Sequence, residues 1–141
     1  MINLTSRFLD QRSNASRCCL QLVLYCVQQL FSIRAAVEGL TDFRVCGEAK
    51  NGVEAIEKAT ELKPDLVVMD LAMPLMNGLE ASTVLKNAMP RVPIILLTLY
   101  AEQVRAPMST AFGVATVLSK VDGLVPLLEC LDKMLSTAGS E

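Results

Sequence analysis

Residues 64–81 read PDLVVMDLAMPLMNGLEA and carry the strongest structural signal in the chain. Leu66 to Met69 form a continuous apolar run that ends in Asp70. Such a run is typical of a strand covered by helices on both faces of a parallel sheet. Pro74 then marks a loop, and Asn77-Gly78 comes directly before a helical apolar pattern. This stretch therefore predicts a central strand, a loop and a helix, with a carboxylate where the strand ends.

The flanking sequence repeats this alternation of short apolar runs and helical patterns. Ile94 to Leu97 predicts a second buried strand ending in Thr98, and Val114 to Leu118 predicts a last strand ending near Lys120. The segment 101–112 has a helical pattern that Pro107 should kink. Alternating strands and helices indicate βαβ units, so we predict a doubly wound α/β fold with helices on both faces of a parallel sheet.

Three polar residues follow three of the predicted strands: Asp70, Thr98 and Lys120. The carboxyl ends of parallel strands meet at one edge of a sheet, where sites form in doubly wound folds. Each residue alone has an ordinary explanation, as a turn or cap, a locally bonded hydroxyl or a solvated charge. Together they suit phosphoryl chemistry, because the carboxylate can attack phosphorus while the ammonium and the hydroxyl bind phosphoryl oxygens.

The composition narrows the class of function. The 141 residues fit one domain, and a net charge of −2 argues against binding to nucleic acid. The chain has no histidine, which excludes histidine acid–base catalysis and phosphotransfer from a histidine of its own. Five cysteines are an odd count, and we expect buried free thiols rather than disulfides. The apolar stretch 18–31 contains three glutamines and is too short and polar to cross a membrane, so we expect a cytoplasmic protein.

Four stretches resemble the receiver domain of bacterial two-component response regulators, especially receivers fused to a LuxR/NarL-type helix-turn-helix. They are residues 45–52, 64–81, 93–98 and 113–120, and the resemblance covers most of the chain. It implies a CheY-like, flavodoxin-like sheet of five parallel strands in the order 2-1-3-4-5.

The resemblance also implies roles for individual residues. Asp70 would be the phosphoacceptor, Thr98 the switch hydroxyl and Lys120 the charge partner of the phosphoryl group. The backbone carbonyl of Ala72 and the Asp70 carboxylate would be ligands of Mg²⁺. A sensor histidine kinase would be the phosphodonor, and a second copy or a downstream effector protein would be a further partner. Such a receiver is no enzyme beyond self-catalysed phosphotransfer and dephosphorylation, and neither nucleic acid nor a membrane is an expected partner.

Two positions depart from the family pattern. The family's first strand ends in two adjacent acids that help to hold magnesium, and these positions fall near Leu24 and Tyr25 in a region without acidic residues. Mg²⁺ requires a near-octahedral shell of oxygen ligands, so we expect its binding here to be poor. Val117 stands where the family has Tyr or Phe, which weakens the expected coupling between the switch hydroxyl and the output face.

We divide the chain into an atypical N-terminal segment (1–31), a receiver domain (32–136) and a flexible tail (137–141). A first strand is expected near residues 22–27. Two explanations of the atypical segment remain open. The chain is either a receiver that has lost metal binding, or a receiver whose residues before about Ser32 result from a frameshift or a misassigned reading frame. The abrupt change in composition slightly favours the second.

The function predicted from the sequence is that of a receiver which accepts a phosphoryl group on Asp70. The alternative is a degenerate pseudo-receiver that binds proteins without phosphorylation. A small enzyme of similar topology, such as an Asp-nucleophile phosphatase or a nucleotide-binding protein, is a weaker hypothesis because the chain lacks a Gly-rich phosphate loop and a second Asp two residues after Asp70. With no DNA-binding region after the last helix, we expect a stand-alone receiver or a fragment of a longer regulator.

Overall fold

The computed structural model describes residues 18–99, 114 and 116–140, with side chains up to residue 135. Its strands are β1 (Cys18–Val23), β2 (Phe43–Ala49), β3 (Leu66–Asp70), β4 (Ile94–Thr98) and β5 (Thr116–Ser119). Its α-helices are α1 (Val27–Leu40), α2 (Gly52–Leu62), α3 (Gly78–Ala88) and α4 (Val125–Ser140), and a short 3-10 helix, Lys120–Asp122, follows β5. The helix predicted over 101–112 lies outside the described residues.

The strands form one parallel sheet in the order β2-β1-β3-β4-β5. This order confirms the predicted 2-1-3-4-5 topology. Every residue of β3 and β4 is buried, as the continuous apolar runs predicted. The middle strands of the sheet are covered on both faces, so their backbone can reach solvent only where the strands end.

Helices cover both faces of the sheet, which confirms the doubly wound fold. One face of the sheet packs against apolar residues of α1 and α4, among them Ile33, Val37 and Leu131. The other face packs against smaller residues of α2 and α3, among them Ala55 and Ala81. These two apolar layers fix the strands relative to one another, and with them the polar residues at the strand ends.

The first strand differs from its predicted position. β1 covers Cys18–Val23 instead of residues 22–27, and α1 already begins at Val27. The polar Gln21 is fully buried within β1, where its side-chain amide donates a hydrogen bond to the carbonyl of Ala55. Only the donor of this side chain is satisfied, since Oε1 is buried without a hydrogen-bond partner among the described residues. The pairing with a residue of α2 cannot be seen in the local sequence.

The prediction of free thiols was wrong for two of the cysteines. Cys19 of β1 and Cys46 of β2 form a disulfide with their Cα atoms 5.5 Å apart. The two strands are neighbours, and their register shifts between Leu20 and Gln21. Neighbouring strands bring residues far apart in sequence within the distance that a disulfide spans.

The last helix, α4, continues through Ser140. The predicted flexible tail at 137–141 stays a prediction. The predicted domain boundaries at 31/32 and 136/137 stay predictions. In the part of the chain that the structure describes, none of the helices has the length and apolar character needed to span a membrane.

Candidate functional site

Asp70 lies at the carboxyl end of the central strand β3. Its neighbour across the ladder is Leu97 of β4, and it is 1% exposed. The next residue, Leu71, donates its backbone N–H to the carbonyl of Leu97 over 3.0 Å. A carboxylate this deeply buried requires compensation from opposite charge or from hydrogen-bond donors.

Lys120 supplies the opposite charge. It follows β5 directly, and its Nζ lies 2.7 Å from Oδ1 of Asp70. The lysine side chain is 22% exposed, so its ammonium bridges the buried carboxylate and the solvent-facing edge of the sheet. Removing one member of a buried ion pair typically costs about 3–5 kcal/mol, because the remaining charge is left without a partner. The sequence placed these two residues at one edge, and the structure brings them into contact.

Thr98 ends β4 on the same edge. It pairs in register with Ser119 of β5, the residue before Lys120, and it is 4% exposed. Because Asp70 pairs with Leu97, Thr98 lies one residue beyond it on the neighbouring strand. Asp70 and Thr98 thus end two adjacent strands, and Lys120 directly follows the next strand, at a common edge.

The backbone of Tyr25 is a part of the site that the sequence did not reveal. Its N–H donates a hydrogen bond of 3.0 Å to Oδ2 of Asp70. Each oxygen of the carboxylate therefore has its own neighbour: the ammonium of Lys120 at Oδ1 and this amide at Oδ2. Every residue except proline carries a backbone N–H, so no residue type signals such a contact. The one sequence signal for this region was the expectation that the family's acidic pair falls near Leu24 and Tyr25.

The loop after Asp70 is held against the backbone of the strand. The N–H of Gly78 donates to the carbonyl of Leu71 over 2.8 Å. A Cβ at Gly78 would overlap the backbone carbonyl oxygen of Asp70, so only glycine allows α3 to begin this close to the strand. Asn77 and Glu80 form a reciprocal capping box at the start of α3. The loop that carries Ala72 is thereby anchored at both ends.

A cavity of about 350 Å³ opens beside Lys120. It lies between the start of α1 and the start of α4, and Cys26, Gln29 and Lys120 are among its lining residues. Its floor is apolar, with Leu97 and Leu127 contributing. Lys120 is therefore approachable from this side of the molecule.

The donor set around Asp70 does not fit magnesium. The family's acidic pair is expected near Leu24 and Tyr25. Leu24 is completely buried in the apolar core, and Tyr25 offers a phenol that is mostly exposed. Within residues 18–99 and 116–135, no group of three or more His, Cys, Asp or Glu residues could hold a metal ion. Magnesium sites of this kind use one or two carboxylates together with phosphate oxygens and water. Here the single carboxylate is already paired with an ammonium.

Known proteins resemble this chain in both sequence and structure. The response regulator receiver domain family matches residues 27–131. Response regulator protein VraR from Staphylococcus saprophyticus is 39% identical over 93 residues, which make up 66% of this chain and 44% of the relative. VraR from Staphylococcus aureus is 37% identical over the same length. The chain spans less than half the length of these curated relatives.

Solved structures share the fold. The response regulator domain of Thermotoga maritima CheB superposes with a TM-score of 0.71 at 25% identity, covering 86% of this chain and 93% of the other. A LuxR-family two-component response regulator from Aurantimonas sp. SI85-9A1 gives a TM-score of 0.77 at 23% identity, with coverages of 86% and 87%. The strand order, the strand-end residues and the family match over residues 27–131 agree, and the chain belongs to the receiver domains of response regulators in two-component systems.

Proposed function

We propose that Asp70 accepts a phosphoryl group from the phosphohistidine of a sensor histidine kinase. The observation that carries this proposal is the ion pair at the end of β3, where a buried carboxylate lies 2.7 Å from the Lys120 ammonium. An ion pair with a purely structural role would not require a hydroxyl group nearby. Here Thr98 ends the strand next to that of Asp70. Family membership supports the same role, and receivers are generally not classical enzymes.

The chemistry assigns one task to each residue. A carboxylate oxygen of Asp70 attacks phosphorus as the bond from phosphorus to the histidine nitrogen of the donor breaks. The electron pair of that bond stays on the imidazole, and the product is an acyl phosphate on Asp70. The Lys120 ammonium neutralises charge on the transferred group, and the Thr98 hydroxyl donates a hydrogen bond to one of its oxygens.

The partners of this chain follow from the same role. The kinase is the phosphodonor, and a second copy of the chain or a downstream effector protein receives the signal. The chain acts in the cytoplasm, on the side of the membrane where a kinase has access to ATP. The family match favours this function over a receiver that never accepts a phosphoryl group.

Intact-mass measurement after incubation with acetyl phosphate tests the proposal. We expect the mass to increase by one phosphoryl group in the wild type and to stay unchanged in Asp70→Asn. Asp122→Asn is a matched control, because Asp122 is exposed and only two residues beyond Lys120; it should be labelled like the wild type. The proposal would be overturned if Asp70→Asn were still labelled, or if none of the three proteins, the wild type included, gained a phosphoryl group.

A further inference from the structure

The two oxygens of the Asp70 carboxylate are engaged by the protein itself. Oδ1 lies 2.7 Å from the Lys120 ammonium, and Oδ2 accepts the Tyr25 amide hydrogen over 3.0 Å. One negative and one positive charge at this contact leave the pair with no net charge. Oδ1 is buried with the ion pair as its contact and no hydrogen bond among the described residues. A divalent cation at this oxygen would lie beside the ammonium, whose like charge repels it, and it would gain no further carboxylate from the described residues.

The surrounding described residues do not provide that further carboxylate. Leu24 is buried in the apolar core, and its N–H is bonded to the carbonyl of Ala49 over 3.0 Å. Glu48, in the neighbouring strand β2, is turned to Arg34, with 2.6 Å between its Oε2 and the guanidinium. Asp65 lies at the opposite end of β3, where it accepts the Cys19 amide. Each of these residues is held away from a shared cation site by its own packing or partner.

We infer that the Asp70 site of this chain works without a bound divalent cation, with the Lys120 ammonium and the Tyr25 amide compensating the carboxylate, and that position 25 is where the missing ligand would stand. For the phosphoryl step this inference rests on the proposed function. A compact ammonium stabilises developing phosphoryl charge as a point charge, although with half the charge of Mg²⁺. The reaction should therefore be slow and insensitive to magnesium.

A single substitution should create the missing ligand. The backbone nitrogen of Tyr25 is already in contact with Asp70, while its side chain is 59% exposed. Tyr25→Asp therefore puts a second carboxylate on the residue whose amide contacts the first, without removing a core residue. Phe31→Asp is the matched control, since Phe31 is another exposed aromatic residue, 78% accessible, and lies within α1. Both variants change the net charge equally.

Binding of Mn²⁺, which occupies the same oxygen sites as Mg²⁺, can be followed by paramagnetic broadening of backbone amide signals in the full chain. In the wild type and in Phe31→Asp we expect no saturable broadening at the amides of Tyr25 and Leu71. In Tyr25→Asp we expect saturable broadening with at least a tenfold gain in affinity. Saturable broadening in the wild type that Asp70→Asn abolishes would overturn the inference, and so would a Tyr25→Asp variant that folds but gains no binding.

Labelling by acetyl phosphate gives a second readout. The initial rate in the wild type should differ by less than twofold between magnesium and EDTA, whereas in Tyr25→Asp magnesium should raise it at least tenfold. A wild type that is strongly stimulated by magnesium contradicts the inference. If the wild type takes no phosphoryl group under either condition, the proposed function fails, while the Mn²⁺ titration still tests the metal site.

Discussion

Replacing Lys120 by Met should destabilise the protein much more than the loss of an ordinary surface lysine. The substitution keeps an unbranched side chain of similar length but removes the ammonium that lies 2.7 Å from Asp70. Asp70 is almost completely buried, so its carboxylate cannot turn to water in the folded state. The variant therefore buries a carboxylate without its ionic partner, which lowers the free energy of unfolding.

The separation of the charges sets the size of the effect. At 2.7 Å and an effective dielectric constant of about 20, Coulomb's law gives an attraction of about 6 kcal/mol. Desolvation of the two groups offsets much of this attraction. We expect Lys120→Met to cost about 3 kcal/mol and Asp70→Asn about 1 kcal/mol, because a lysine that is partly exposed can turn to solvent when its partner is lost. The double variant should cost about 2 kcal/mol, which leaves a coupling energy of about 2 kcal/mol.

Urea unfolding of the four proteins at pH 7, with linear extrapolation to water, measures this double-mutant cycle. Lys58→Met is the control, since Lys58 pairs with Glu54 over 3.4 Å at the surface of α2 and donates a hydrogen bond to the backbone carbonyl of Glu48. The surface ion pair contributes about 0.3–0.5 kcal/mol and the hydrogen bond about 1 kcal/mol. If the coupling energy between positions 70 and 120 is no larger than the destabilisation caused by Lys58→Met, then Asp70 and Lys120 do not form a buried ion pair.

Three further predictions concern other parts of the molecule. Reducing the disulfide between Cys19 and Cys46 should lower the free energy of unfolding by up to about 3.5 kcal/mol, the loop-entropy value for a bridge across 27 residues. Dithiothreitol should therefore lower the thermal unfolding temperature of the wild type and have no effect on Cys46→Ser. Gly78→Ala should lower the free energy of urea unfolding by more than about 2 kcal/mol, because its Cβ would meet the backbone oxygen of Asp70. Gly39→Ala is the control and should be neutral or stabilising, because Gly39 lies in a helix with open space around it. Burial raises the pKa of the Cys130 thiol, so a smaller fraction of Cys130 is thiolate at pH 8. Iodoacetamide should therefore modify the exposed Cys26 before Cys130, as followed by mass spectrometry. Equal modification rates at the two cysteines would contradict this order.

In a reducing environment, where disulfides are rare, the thiols of Cys19 and Cys46 would be separate. Both lie on strands that are already paired over six residue positions. We therefore expect the reduced protein to keep its fold at lower stability, which near-ultraviolet circular dichroism before and after reduction would show.

Much of this architecture could be predicted from local sequence. The runs at 66–69 and 94–97 identified β3 and β4, because a strand buried on both faces must be apolar at every position. The polar residues that follow them, Asp70 and Thr98, were placed at one edge for the same reason, since parallel strands end together. Asn77 and Gly78 marked the start of α3 through cap chemistry that involves only neighbouring residues.

Other features arise from contacts between residues that are distant in sequence. The first strand was misplaced because burial of Gln21 depends on a carbonyl 34 residues away. The disulfide between β1 and β2 depends on the register of two neighbouring strands. The hydrogen bond from Tyr25 to Asp70 spans 45 residues and uses a backbone group that every amino acid except proline has. The apolar periodicity of each segment can be recognised from its own residues, whereas the partner of a polar group is determined only when the segments pack together. For Asp70, this packing provides a lysine and a backbone amide in place of a second carboxylate.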